Sequence, residues 1–360
     1  MLGMTQTINN NRGVALLLVI SVTTILIAAA LEYNRRARFT VLSTAAARDR
    51  LTLSQMASSG VHAAMALLAK DRAESDFDSL QEDWANPEKI DELLNDLSFD
   101  EGELTVAISD EMGRIQINAL VTLPDGRGFN ESQRQMLERY LNFLNDATEE
   151  TPEDSRPPAI INSLKDWLDS GDDDAITGLS GAESPYYQEL SPPYSSRNGP
   201  MTDIHDLLQV KGITPEIFYG SSEKPGLAEA LTVYGMKPGA GTGFTFPGKI
   251  NINTAELPVL VALMPSENAE LAATLYDFRQ QAATDESAPD FSNPTWYNNI
   301  VGFGDLNLDT KLLTTASDIF RIVSAAKVND SVLTATAVVE RQKNEKSGKW
   351  TCKILSWNTQ

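Results

Sequence analysis

The chain of 360 residues is 42% hydrophobic with a mean hydropathy of −0.23, which excludes wholesale disorder and suits one large globular body, or two modest ones, plus an anchor. Fifty acidic against 29 basic residues give a formal charge of −21 spread along the sequence. Such a surface repels phosphate backbones and anionic lipid, so divalent cations are the more natural small partners. Cys352 is the single cysteine, which excludes an intrachain disulfide and leaves bracing to packing or metal.

From Val14 to Leu31 the sequence reads VALLLVISVTTILIAAAL, without a charge. At ~1.5 Å per residue a helix of that length spans ~27 Å, enough to cross a bilayer core. A polar leader, MLGMTQTINNNRG, precedes it with Arg12 as its one charge, while Arg35, Arg36 and Arg38 follow it, so loop charges give a conflicting vote on topology. A cleavable export signal with a small-residue site near Ala30 is one reading of the segment.

The other reading rests on Gly13, placed directly between the leader and the apolar run. This arrangement resembles the prepilin leader of type IV pilins and type II secretion pseudopilins, which a prepilin peptidase cuts after the glycine. The resemblance implies processing between Gly13 and Val14, leaving residues 14–31 as a single-pass inner-membrane anchor with the body in the periplasm. Most members carry a glutamate five residues after the cut. Here that position is Leu18, a departure typical of the minor pseudopilin called general secretion pathway protein K.

Beyond the membrane the helical period continues through Ala45, Ala46, Ala47, Leu51, Leu53, Met56, Ala57, Val61, Ala64, Leu67 and Leu68, so one long helix is expected, half anchor and half packing surface. The acidic stretch Asp71 to Glu103, with Trp84 and Pro87, reads as an interruption. Leu104 to Ile108 and Arg114 to Ile117 alternate around a turn at Asp110 to Gly113, which predicts a hairpin. Near the C-terminus, Ile319 to Val323, Val332 to Val339 and Trp350 to Trp357 are three more strands, separated by turns at Asn329-Asp330 and Lys346 to Gly348. Between these halves helical periodicity dominates, at Ser132 to Asn145, Ile160 to Leu168, Asp203 to Val210, Leu257 to Met264 and Ala269 to Gln280.

The expected fold is therefore α+β: a long N-terminal helix packed on an antiparallel sheet, with a large α-helical insertion. The expected divisions are a leader (1–13), a membrane part (14–31), a pilin-like domain from 32–121 and 316–360, and an inserted domain (122–315).

Five segments are similar to protein K in the family's order: ISDEMGRIQINAL (Ile108 to Leu120), DWLDSGDDDAITGLSGAESPYY (Asp166 to Tyr187), NGPMTDIHDLLQVKGI (Asn198 to Ile213), KININTAELPVLVAL (Lys249 to Leu263) and DIFRIVSAA (Asp318 to Ala326). The resemblance implies a non-enzymatic minor pseudopilin at the tip of the type II secretion pseudopilus, initiating and capping the filament with minor pseudopilins of the I and J types. A type IV pilus minor pilin and a membrane-tethered DNA-uptake protein are the alternatives.

Asp166, Asp169, Asp172, Asp173, Asp174 and Glu183 crowd hard oxygen ligands around a loop containing Gly171, Gly178 and Gly181. That pattern suits a cation taking six to eight oxygens, although the spacing is not that of an EF-hand and a solvated acidic loop has the same composition. The resemblance implies calcium. Val210 to Ile213 and Asn251 to Ala255 resemble helix-hairpin-helix modules, but Gly212 stands alone where such modules have two glycines, and with the acidic balance a structural role is expected. His62 and His205 read as ordinary surface or packing residues, and no nucleophile, phosphate-loop or CxxC pattern points to an active site.

Overall fold

The computed structural model describes residues 12–97, 99, 101–123, 126–144, 152–171, 176–221, 224–239, 243–282 and 289–360. Helix α1 runs Arg12–Glu74, 63 residues and roughly 95 Å long. Its apolar N-terminal stretch has a mean hydropathy of 2.8 with none of it buried, and is long and apolar enough to cross a membrane. Residues Leu53, Met56, Ala57, Val61, Ala64 and Leu68 follow the spacing of one helix face and are buried. Gly60 belongs to that face for a steric reason: a Cβ there would lie 2.3 Å from Ser324 Oγ and 2.8 Å from Val106 Cγ2.

Helix α2 (Pro87–Asn95) lies inside the stretch expected to be an interruption. Pro87 does not break it, because proline at the first helical position forfeits only an N–H that would have no partner. Asn86 caps it by accepting from Glu88 N at 2.9 Å, and Ile90 and Leu94 are buried.

Strand β1 (Glu103–Asp110) follows, but the expected hairpin with residues 114–117 does not form. Asp110 Oδ1 accepts from Met112 N at 2.7 Å, capping a 3₁₀ turn (Glu111–Gly113) that sends the chain out of the sheet. Strand β2 (Ile115–Gln116) instead pairs in parallel with a strand of the insertion, and Ile115, Gln116, Ile117 and Asn118 are all buried, so the alternation read in the sequence has no exposed side.

The insertion continues with α3 (Glu131–Leu144), α4 (Pro157–Leu168), α5 (Ser184–Gln188), α6 (Pro215–Tyr219), α7 (Leu227–Ala230) and β3 (Leu231–Thr232), the partner of β2. Residues Ile204–Gln209, expected as α-helix, form 3₁₀ turns. Next come the antiparallel pair β4 (Lys237–Pro238) and β5 (Phe244–Thr245), then β6 (Ile250–Asn251), α8 (Leu257–Leu263), α9 (Leu271–Ala282) and β7 (Leu313–Thr314), which pairs in parallel with β6. One hydrophobic cluster spans this body from Ile115 to Leu313 and includes Tyr140, Trp167, Tyr187, Phe218 and Trp296.

The chain then re-enters the sheet as β8 (Ile319–Val328), β9 (Ser331–Lys343) and β10 (Trp350–Thr359), in spatial order β1-β8-β9-β10 with every pairing antiparallel. Asn329 and Gly348 take positive φ in the two expected turns. Phe320, Ile322, Ala335, Ala337 and Val339 form the face that meets α1, and Trp84 closes the end of this core, edge-on to Phe320 with ring centroids 5.1 Å apart. The fold is mixed α+β, as the sequence pattern implied.

Candidate functional site

Three of the six acidic candidates converge. Asp166 and Asp169 share a face across the last turn of α4, and Glu183 stands immediately before α5; all three are buried, and one carboxylate oxygen from each lies within 4.8 Å of the others. Thr177 N donates to both Asp166 oxygens at 3.1 and 3.0 Å, and Gly171 N to Asp169 Oδ1 at 3.2 Å. Lys165 Nζ lies 2.9 Å from Asp169 Oδ2 and 3.9 Å from Asp166 Oδ1. Burial pushes the Asp166 carboxyl up from its ordinary range and Asp169 adds to the rise, against the bonds from Thr177 and the charge of Lys165. Asp172, Asp173 and Asp174 lie outside the described residues.

Among the described residues one ammonium stands against three close carboxylates, and the donor set is all hard oxygen, which fits calcium or a similar cation. Gly181 makes the cradle possible: a Cβ there would come 2.0 Å from Asp166 Oδ2 and 2.9 Å from the Thr177 backbone.

A second polar centre was not legible as a site in the sequence. It lies where the insertion leaves and rejoins the sheet. Asp110 Oδ2 accepts from Ser317 Oγ at 2.5 Å, Thr254 Oγ1 at 2.6 Å and Asn251 Nδ2 at 3.0 Å. Arg341, fully buried on β9, grips Asp78 at 2.6 and 2.7 Å and Asp71 of α1 at 2.9 Å, and donates to Ser317 O. Asn251 and Asn253 both donate to Asp78 O, at 3.0 and 3.1 Å. Burial pushes Asp110 up to about 6, although the Ser317 and Thr254 bonds oppose it. Burial, then Glu82 and Asp78, push Asp71 up to about 7 against Arg341.

This hub joins the ends of three motifs, ISDEMGRIQINAL, KININTAEL and DIFRIV, to the end of α1. The signal that could have revealed it is an excess of Asn, Ser and Asp at motif edges where apolar residues would be expected.

The hairpin at Val210 to Ile213 is turned inward. Gly212 adopts φ +87°, a Cβ on it would lie 2.1 Å from Asp154 O, and Lys211 Nζ lies 3.1 Å from Asp154 Oδ1. Its glycine is spent on packing against the turn at Glu153–Ser155. His205 bonds Asp203 at 2.7 Å on the surface, and His62 Nδ1 lies 2.7 Å from Ser58 O on α1.

Residues 113–220, which contain the acidic cluster, match the family model for protein K of the type II secretion system. Over these residues the chain is similar to protein K of the type II secretion system. It is 26% identical to the type II secretion system protein K of Klebsiella pneumoniae, over 58% of this chain and 60% of that protein. It is 25% identical to that of Aeromonas hydrophila, over 57% and 60%. The match thus spans about 60% of the length of these curated relatives. A chain of the GspK-GspI-GspJ complex from the enterotoxigenic Escherichia coli type 2 secretion system shares the fold, with a TM-score of 0.62 at 18% identity, covering 88% of this chain and 99% of that one.

Proposed function

We propose that this protein is a minor pseudopilin of the type II secretion pseudopilus, working at the filament tip with subunits of the I and J types and initiating and capping the filament. The observation that carries this reading is the order of parts along one axis. The membrane-competent stretch occupies one end of α1, and the insertion is fastened at the other, where Arg341 ties Asp71 of α1 to Ser317. A subunit so built can pack laterally through its exposed helix while the insertion crowds the position above it. The match of residues 113–220 to the protein K family model and the likeness to a chain of the GspK-GspI-GspJ complex support the same assignment.

On this reading a prepilin peptidase cuts between Gly13 and Val14, and the rest of the chain is held in the inner membrane with its body in the periplasm. Asp166, Asp169 and Glu183 would hold calcium, with Asp172, Asp173 and Asp174 close in sequence; the ion would neutralise the buried carboxylates and fix the α4–α5 connection. Leu18 suits low copy number, because it provides no carboxylate to pair with a neighbour's N-terminal amine.

Co-purification from membranes with tagged I- and J-type pseudopilins tests the assembly, and N-terminal sequencing of the purified chain tests the processing. Recovery of a ternary complex whose chain begins at Val14 is expected. A chain beginning near Leu31, or one that co-purifies with neither partner, overturns the reading.

A further inference from the structure

Strand β10 is the open edge of the four-stranded sheet: among the described residues it pairs with β9 and with no second strand. Asn344 N donates to Lys349 O at 2.9 Å, which sets the alternation of the antiparallel ladder. Trp350, Cys352 and Ile354 consequently turn their backbone N–H groups away from β9. Cys352 faces α1, where its Sγ lies 3.4 Å from Met65 O, and Ile354 and Trp357 are 38% and 40% exposed along the edge.

The surroundings of this edge are basic in a strongly acidic protein. Lys343, Lys346, Lys349 and Lys353 are all exposed, with Glu345 the one acidic residue between Arg341 and Gln360. None of the four makes an ion pair among the described residues; Lys353 stands opposite Glu340, whose carboxylate is 3.4 Å from Lys237. Arg72 of α1, stacked 5.4 Å from the centre of the Trp350 ring, is paired with Asp76 at 3.5 Å and leaves the four lysines as the cations without an ion-pair partner here among the described residues.

An open ladder and an uncompensated cation cluster ask for the same complement. We infer that β10 is a docking edge for another protein's extended acidic segment, which adds as a fifth strand beyond β10 with its carboxylates beside Lys343, Lys346 and Lys349. A second copy of this chain is disfavoured by its charge of −21. The opposing interpretation is protective: lysines and a β-bulge, here the register shift between Ile354 and Ser356, commonly guard edges against pairing.

The test uses the full-length chain in detergent micelles and a fluorescein-labelled peptide of alternating Glu and Val, with alternating Lys and Val as control. The acidic peptide should bind, weaken as salt is raised, and slow hydrogen exchange at the amides of Trp350, Cys352 and Ile354. Combining K343E, K346E and K349E should weaken it about tenfold, equivalent to ~1.4 kcal/mol, without moving the melting temperature, since these side chains are exposed. Binding without protection of those amides overturns strand addition. Absence of binding, with the lysine-reversed variant self-associating in light scattering, assigns the lysines to guarding the edge and overturns the proposal.

Discussion

The two bodies of this molecule satisfy their buried backbone in different ways. In the pilin-like body the ladders β1-β8-β9-β10 and the turns of α1 do so, and the interior can be almost wholly apolar. In the insertion the elements are short, and side chains replace ladders. Asn118 donates to Met201 O and Val233 O, Gln133 to Gly248 O, Asn253 to Phe291 O, and Arg279 to Ile252 O and Ala255 O. A fold made of short pieces must bury amides and charges to avoid orphaned carbonyls, and each becomes a point where one substitution costs more than a lost contact. The pilin-like body makes its exception at the seam, where Arg341 is buried together with Asp78 and Asp110.

Removing that exception should have the largest effect. Arg341→Met leaves Asp71 and Asp78 without their cation in a buried setting and should cost about 3–5 kcal/mol in denaturant unfolding, largely recovered by adding Asp78→Asn. A loss below about 1 kcal/mol would show that the seam does not depend on charge.

Calcium should act on the insertion alone. At an ion concentration 100 times its dissociation constant the gain should be about 2.7 kcal/mol, abolished by Asp169→Ala or Glu183→Gln and kept in Asp330→Ala at an exposed turn of the other body. Equal melting in calcium and in chelator would remove the ion from the proposal.

The helix–sheet contact gives a purely steric comparison. Gly60→Val must displace Ser324 or lift α1 from β8, an overpacking cost of about 1–3 kcal/mol, whereas Gly304→Ala in the insertion meets nothing within 4 Å and should be near neutral. Equal stability of the two variants would mean that α1 yields at Gly60 without cost.

The smallest expected effect is a slope. Because the folded Asp110 titrates near 6 and the unfolded carboxyl near 4, the folded state holds an extra proton between those values, and its stability falls as pH rises through that window. The gradient is about 1.4 kcal/mol per pH unit at most. Asp110→Asn should remove this slope, and so cost more at pH 4 than at pH 8 in equilibrium unfolding. A cost independent of pH would mean that Asp110 is not the titrating group.

Local pattern alone made the pilin-like body legible. The apolar run to Leu31, the helical period through Leu68 and the three C-terminal strands each repeat with the period of the element they form, because a regular element buries one face against one neighbour. The same holds for α3, α4 and α8. The acidic cluster was legible as composition, and Asp166, Asp169 and Glu183 indeed converge, but nothing local said that all three would be buried or that Gly181 would leave room for Asp166.

What only the tertiary structure decided is where short polar segments go. Ile115 and Gln116 read as half of a hairpin and instead pair with Leu231 and Thr232, because Asp110 caps a turn and its other oxygen is held by residues over a hundred positions away. Pro87 read as a breaker and begins a helix. Periodicity reports only neighbours within a turn or a strand, so the sequence determined the elements that are periodic, while partners for buried Asp78, Asp110 and Arg341 were chosen by long-range packing.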